Sequence, residues 1–233
     1  LSRQDGDAIG QMIKMQSHLD ISVHHLPQDG QFVWQNHPIR VSFLPTRYGE
    51  DCVCRLLYAD PDKFSLDNIG LTSTMLHHIH AMLASSYGLI LVTGPTGSGK
   101  TTTLYSMLQS LKDSHQNIVT LEDPIECTFD HVRQSEICVE AGYTFDRGLR
   151  AILRQDPDII LIGEIRDAMS AQIAFEAAYT GHLVLATLHS QTVETSLLRL
   201  KCFGIEPFLL SYCLKGILSQ KTYMSFMFSL STW

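Results

Sequence analysis

Short, continuously apolar runs alternate with amphipathic stretches through most of this chain. Residues 89–93, 118–121, 159–162 and 183–187 are runs of leucine, β-branched residues and one alanine, and each reads as a strand. Between them, residues 101–112, 146–154 and 168–179 carry helical spacing, and a further helix is predicted over 72–84. Strands that are apolar throughout, rather than alternating, are buried on both faces. With helices between them they imply a parallel sheet covered on either side. Ligands of such sheets sit at the carboxyl ends of the strands. The first 60 residues follow a different rhythm. Residues 8–15 are helix-like, 31–35 and 39–43 read as strands joined through Asn36-His37-Pro38, and 51–58 reads as another strand. Ala59-Asp60-Pro61-Asp62 breaks the pattern. The expected organisation is a small α+β lobe over 1–60, a linker over 61–71, an α/β domain over 72–220 and an atypical tail over 221–233.

Composition narrows the class. The 233 residues are 45% hydrophobic, enough for a core, and carry a net charge of −7, which disfavours nonspecific nucleic-acid binding. Six cysteines form no C-x-x-C pair. Cys52 and Cys54 fall on one side of a strand, and buried free thiols are expected ahead of a metal site, in keeping with a reducing cytoplasm. No signal peptide and no apolar run of about 18 residues is present. The chain begins with Leu rather than Met, so a fragment is expected.

Four motifs carry the chemistry. Gly94-Pro95-Thr96-Gly97-Ser98-Gly99-Lys100-Thr101 fits G-x-x-x-x-G-K-S/T, with a strand before it and a helix, from Thr102, after it. Such a loop aims backbone N–H groups and a helix dipole at one point. Lys100 is then expected on the β- and γ-phosphates and the Thr101 hydroxyl on Mg²⁺. Residues 159–164 are four apolar residues, Gly163 and Glu164, lying 64 residues after Lys100. Glu164 could hold Mg²⁺ directly or through water, or polarise the attacking water. Residues 118–122 form a second strand ending in an acid, read as running beside the phosphate-loop strand. Glu122 would act as general base or water orienter, against a solvated acidic turn before Pro124. Finally, His182 and His189 bracket the last strand, and an imidazole there could sense a γ-phosphate. His77, His78 and His80 are read as surface or packing residues.

In this order the motifs GPTGSGKTTT, TLEDPIE, RQDPDIILIGEIRD and TGHLVLATLHS resemble the secretion ATPases of type II secretion and type IV pilus assembly. The resemblance covers residues 1–220 and includes Leu26-Pro27-Gln28-Asp29-Gly30, which points to the assembly branch. It implies a RecA-like P-loop NTPase domain preceded by a PAS-like lobe, working as a cytoplasmic homohexamer held at the inner membrane by a platform protein. It implies ATP and Mg²⁺ at the site, with Glu122 as catalytic acid and Glu164 as the metal-side acid. His182 and His189 match the histidine box, and Arg40 and Arg55 match small-lobe arginines that approach the phosphates. Arg150 and Arg154 match a further basic pair, expected to act between subunits. Three departures stand out. His24, His25 and Gln31 replace basic residues around LPQDG. Residues 2–6 read as the end of the lobe's first strand. No tetracysteine zinc module follows residue 220, so no zinc is expected. The expected function is an ATP-hydrolysing assembly motor. The alternatives are a nucleotide-binding component with little turnover and, less favoured, a DNA translocase, since no aromatic-basic strand-tracking segment is present.

Overall fold

The computed structural model describes residues 3–35, 37–56 and 60–221. The chain divides into two compact units, residues 1–60 and 61–233. Most of the expected tail, 222–233, lies outside the described residues.

The first unit is a helix, α1 (Arg3–Gln16), and a three-stranded antiparallel sheet of β1 (Gln28–Trp34), β2 (His37–Thr46) and β3 (Gly49–Leu56), in that order. The alternation in β2 builds the core: Ile39, Val41 and Phe43 are buried while Arg40, Ser42 and Leu44 are exposed. Ile13, Leu19 and Phe32 close over that apolar face. Residues 3–6 are helical, not the end of a strand. They carry neither β-branched residues nor alternation, so they extend a helix already nucleated by the Ile9/Ile13 spacing. The cysteines also depart from expectation. Cys127 and Cys213 are buried, but Cys52, Cys54, Cys138 and Cys202 are exposed. Cys52 and Cys54 sit on β3, an edge strand with little burial, with their sulfurs 3.8 Å apart.

The second unit holds a six-stranded sheet in the order β6-β5-β7-β8-β4-β9. Its strands are β4 (Gly88–Thr93), β5 (Ile118–Glu122), β6 (Arg133–Glu136), β7 (Ile159–Ile162), β8 (Leu183–Leu188) and β9 (Leu214–Ser219). Each neighbouring pair is parallel. The helices are α2 (Ser73–Leu83), α3 (Lys100–Ser110), α4 (Phe145–Ile152), α5 (Ala168–Tyr179), α6 (Val193–Cys202) and α7 (Pro207–Cys213). Every residue of β4, β5, β7 and β8 is buried, as continuous apolar runs require of central strands. The expectation that residues 118–121 run beside the phosphate-loop strand is overturned: β5 pairs with β6 and β7, while β4 pairs with β8 and β9. β7 and β8, as fully buried as β4, lie between it and β5. The crossover through α3 therefore spans two strands, and β5 lies three strand spacings, roughly 14 Å, from β4. Residues 61–71 form two short 3-10 turns whose Leu66 is buried. Here Phe64 sets its ring edge-on to Tyr105 with centroids 5.3 Å apart, so the segment packs as part of this unit.

Candidate active site

The loop after β4 is shaped by close backbone approach. A Cβ at Gly94 would collide with Ser98 Oγ and lie 2.5 Å from the Gln220 carbonyl oxygen, so only glycine fits. Gly99, with φ +86°, sits immediately before α3 and turns the chain into the helix. The Lys100 ammonium, in the first turn, is largely buried and donates to the carbonyls of Gly94 (3.0 Å) and Pro95 (2.9 Å). Burial lowers its pKa, and the nearby Glu164 carboxylate opposes that shift. Two hydroxyls here, Thr93 Oγ1 and Ser98 Oγ, are buried without a hydrogen-bond partner. A cationic amine, a helix amino terminus and an unpaired buried hydroxyl converge at one loop. That donor set fits the oxygens of a phosphate.

Glu164 stands in the turn after β7. Gly163 N–H donates to Leu121 O (2.8 Å), Thr187 Oγ1 donates to Gly163 O (2.5 Å), and Ile165 N–H donates to Thr187 O (2.9 Å). These bonds tie the turn to the ends of both neighbouring strands. One Glu164 oxygen accepts from Arg166 Nε (2.9 Å), and the other lies 3.3 Å from His189 Nε2. Arg166 also reaches Asp123 (2.9 Å), and its charge is reinforced chiefly by Glu164. Arg166 and Asp123 were not singled out from sequence, although both stand inside quoted motifs, one beside each acid.

Glu122, the last residue of β5, is only 3% exposed. Tyr105 Oη donates to one carboxylate oxygen, while Thr120 Oγ1 (2.6 Å) and Gln134 Nε2 (3.0 Å) donate to the other. A buried carboxylate with three donors is held in one rotamer. It is not the solvated acidic turn that stood as its alternative.

Not every predicted residue gathers here. His189 lies beyond the carboxyl end of β8 next to Glu164, but His182 precedes β8, at its amino end. There its Nδ1 lies 2.9 Å from Ala177 O and its carbonyl accepts from Gly88 N–H. A full strand, roughly 20 Å, separates it from the loop. Arg154 lies just past α4, next to Gln155, whose carbonyl accepts from Asn117 ahead of β5; this too is the amino side of the sheet. Arg150, one turn earlier, is exposed and approaches Met169. In the first unit, Arg40 and Arg55 face each other directly across β2 and β3, in a shallow recess of about 310 Å³ with Asp29, Ser42 and Val53. Directly opposed like charges repel, and an anion seated between them would relieve that cost. Thr96, Gly97 and Thr102 lie on the open side of the loop. Gln220, unremarked in the sequence, closes the other side: its N–H donates to Thr93 O (2.8 Å) and its amide to Thr103 Oγ1 (2.7 Å). Its place at the end of β9 left only a short, glycine-interrupted strand as a signal.

Residues 3–225 match the family model for "Type II/IV secretion system protein". The chain is 44% identical over 224 residues to the type II secretion system ATPase E of Vibrio cholerae, covering 94% of this chain and 44% of the relative. It is 46% identical over 213 residues to type II secretion system protein E of Klebsiella pneumoniae, covering 90% of this chain and 43% of that one. The chain thus spans less than half the length of these curated relatives. Among solved structures, the pilus retraction motor PilT with bound ADP superposes with a TM-score of 0.74 at 36% identity, over 84% of this chain and 59% of PilT. The ATPase DotB of Yersinia pseudotuberculosis superposes with a TM-score of 0.70 at 26% identity, over 88% and 61% of the two chains. With a family model that covers nearly its whole length and relatives above 40% identity, this chain belongs to the type II/IV secretion system protein family.

Proposed function

We propose that this chain is the ATP-hydrolysing part of a motor that assembles pilin-like subunits in a type II secretion or type IV pilus system. The observation that carries the proposal is the placement of Lys100, Glu164 and Glu122 at the carboxyl ends of β4, β7 and β5 in one sheet. ATP is the substrate. The loop from Gly94 to Thr101 would cradle its phosphates, with Lys100 exchanging its bonds to Gly94 and Pro95 for phosphate oxygens. Mg²⁺ fits Thr101 and Glu164: two hard oxygen donors suit a cation that keeps water and phosphate as its other ligands. When bound it would neutralise charge on the β- and γ-phosphates.

This chain's own residues do the rest. Arg166 and His189 fix the orientation of Glu164. Glu122 orients the attacking water and accepts its proton. Arg40 and Arg55 would supply positive charge to the phosphates, as an arginine finger does. By family analogy a homohexamer would convert lobe movement into work on an inner-membrane platform protein. In such a ring Arg154 and His182, on the amino side of their own sheet, and the exposed Arg150 would serve a neighbouring subunit. A binding-only component is not favoured, because the loop is accompanied by the carboxylates of Glu122 and Glu164 and by Arg166, which supports turnover. Fluorescent ATP titrations test the reading. Lys100→Ala should weaken binding by roughly tenfold or more, since a charge-assisted contact to phosphate is lost. Equal affinity in the variant and the parent chain would contradict it.

A further inference from the structure

Tyr105 sits in α3, the helix that begins at Lys100, and reaches across to the end of β5. Its side chain is almost fully buried, and burial together with the Glu122 carboxylate pushes its phenol far above the ordinary range, so it keeps its proton. It spends that proton on Glu122, and its oxygen accepts from Glu126 N–H at 3.1 Å. The hydroxyl is thus committed at both ends. The ring is fixed as well. Phe129 packs edge-on at 5.2 Å between centroids, and Phe64 does the same at 5.3 Å. Phe64 and Phe129 also touch each other, at 5.9 Å, which completes an aromatic triad. Edge-to-face rings prefer a narrow range of geometries, so displacing one ring is felt by the others.

Phe64 is the informative member. It lies in the second unit, in the stretch of two short 3-10 turns that precedes α2. All three rings belong to this unit. We infer that Phe64 and Tyr105 form a relay through which the stretch 61–71 controls the posture of Glu122. With Phe64 seated, Tyr105 holds a carboxylate oxygen of Glu122. When that stretch shifts, the ring loosens, the hydroxyl lets go, and that oxygen becomes free to accept a proton from water. Tyr105 is a positioning residue on this account, because it touches the acid and not the substrate. The inference rests on the reading of Glu122 as the acid of an ATP-hydrolysing site.

The test uses the whole chain with three relay variants and Lys100→Ala. Tyr105→Phe removes only the hydroxyl. Phe64→Leu keeps apolar bulk but removes the ring, and Phe64→Tyr restores a ring. Turnover number and KM for ATP are measured beside hydrogen exchange of the amides over residues 122–127. Tyr105→Phe and Phe64→Leu should each raise kcat by about tenfold, since both free a Glu122 oxygen, while KM moves less than about twofold; Phe64→Tyr should return kcat towards the parent value, and a fall in kcat would overturn the relay. Exchange over 122–127 should accelerate in the first two variants only. Turnover that needs Lys100 but is unchanged in Phe64→Leu, with unchanged exchange, would overturn the relay and leave the ATPase reading standing. Turnover that is absent, or that survives Lys100→Ala, would overturn the ATPase reading and the relay with it.

Discussion

Glu122 spends both of its oxygens on the protein, and this sets what it can do. Thr120, Gln134 and Tyr105 give it three donors, so it has little freedom to wander, and one bond must be surrendered before it accepts a proton. Glu122→Gln keeps the shape of the side chain but not its basicity. It should lower kcat by about 10²–10⁴-fold while ATP affinity stays nearly unchanged, as steady-state kinetics beside a binding titration would show. A second charged cluster, in the first unit, makes a separate prediction. Lys14 is almost wholly buried and donates to both oxygens of Glu50 (2.6 and 2.9 Å), which also bonds His24 (2.6 Å). Partial burial raises the Glu50 pKa, but the hydrogen bonds from Lys14 and His24 outweigh it and hold the carboxyl below its ordinary value of 4.5. A depressed carboxyl pKa stabilises the fold above the unfolded value and loses that contribution as pH falls through the folded one. Thermal unfolding of the chain should therefore show a loss of stability below about pH 4.5 that Glu50→Gln lacks. At pH 7 that substitution should cost about 1–3 kcal/mol, because it leaves Lys14 poorly paired.

At the scale of elements, the site depends on four strands that are buried along their whole length. Leu91 lies mid-way along β4 with no exposure, between β8 and β9. Leu91→Ala should destabilise the second unit by about 2–5 kcal/mol in a denaturant melt. These strands were legible in the sequence because short, uniformly apolar runs between amphipathic stretches suit buried parallel strands, and the strand–loop–helix unit around Lys100 was legible from its glycine-rich motif between such a run and a helix. The order of the strands was not. Apolar runs of equal strength do not say which is central, and β5 came out three places from β4. The edge strands β6 and β9 were missed because polar residues and Gly216 interrupt their pattern. The helices α6 and α7 were missed too, although Thr192 caps the first of them and Pro207 opens the second. The end of a strand at which a histidine sits follows from chain direction alone, and on that ground His182 and His189 separate. Most of the cage around Glu122 was beyond reach: Thr120 shares its motif, but Tyr105 and Gln134 come from two other elements.

For the whole molecule, the two units supply different parts of the proposed chemistry. The second holds the phosphate loop and both acids. The first offers Arg40 and Arg55 side by side on an exposed strand face. Family membership joins them in one account. Among the described residues no helix is long and apolar enough to cross a membrane. Everything proposed here depends on hydrolysis at the Lys100 loop. The most direct measurement is phosphate release from ATP and Mg²⁺ by the parent chain and by Lys100→Ala under the same conditions. The account predicts ATP-dependent release by the parent chain and at least about a hundredfold less by the variant. Equal release from the two proteins would contradict it.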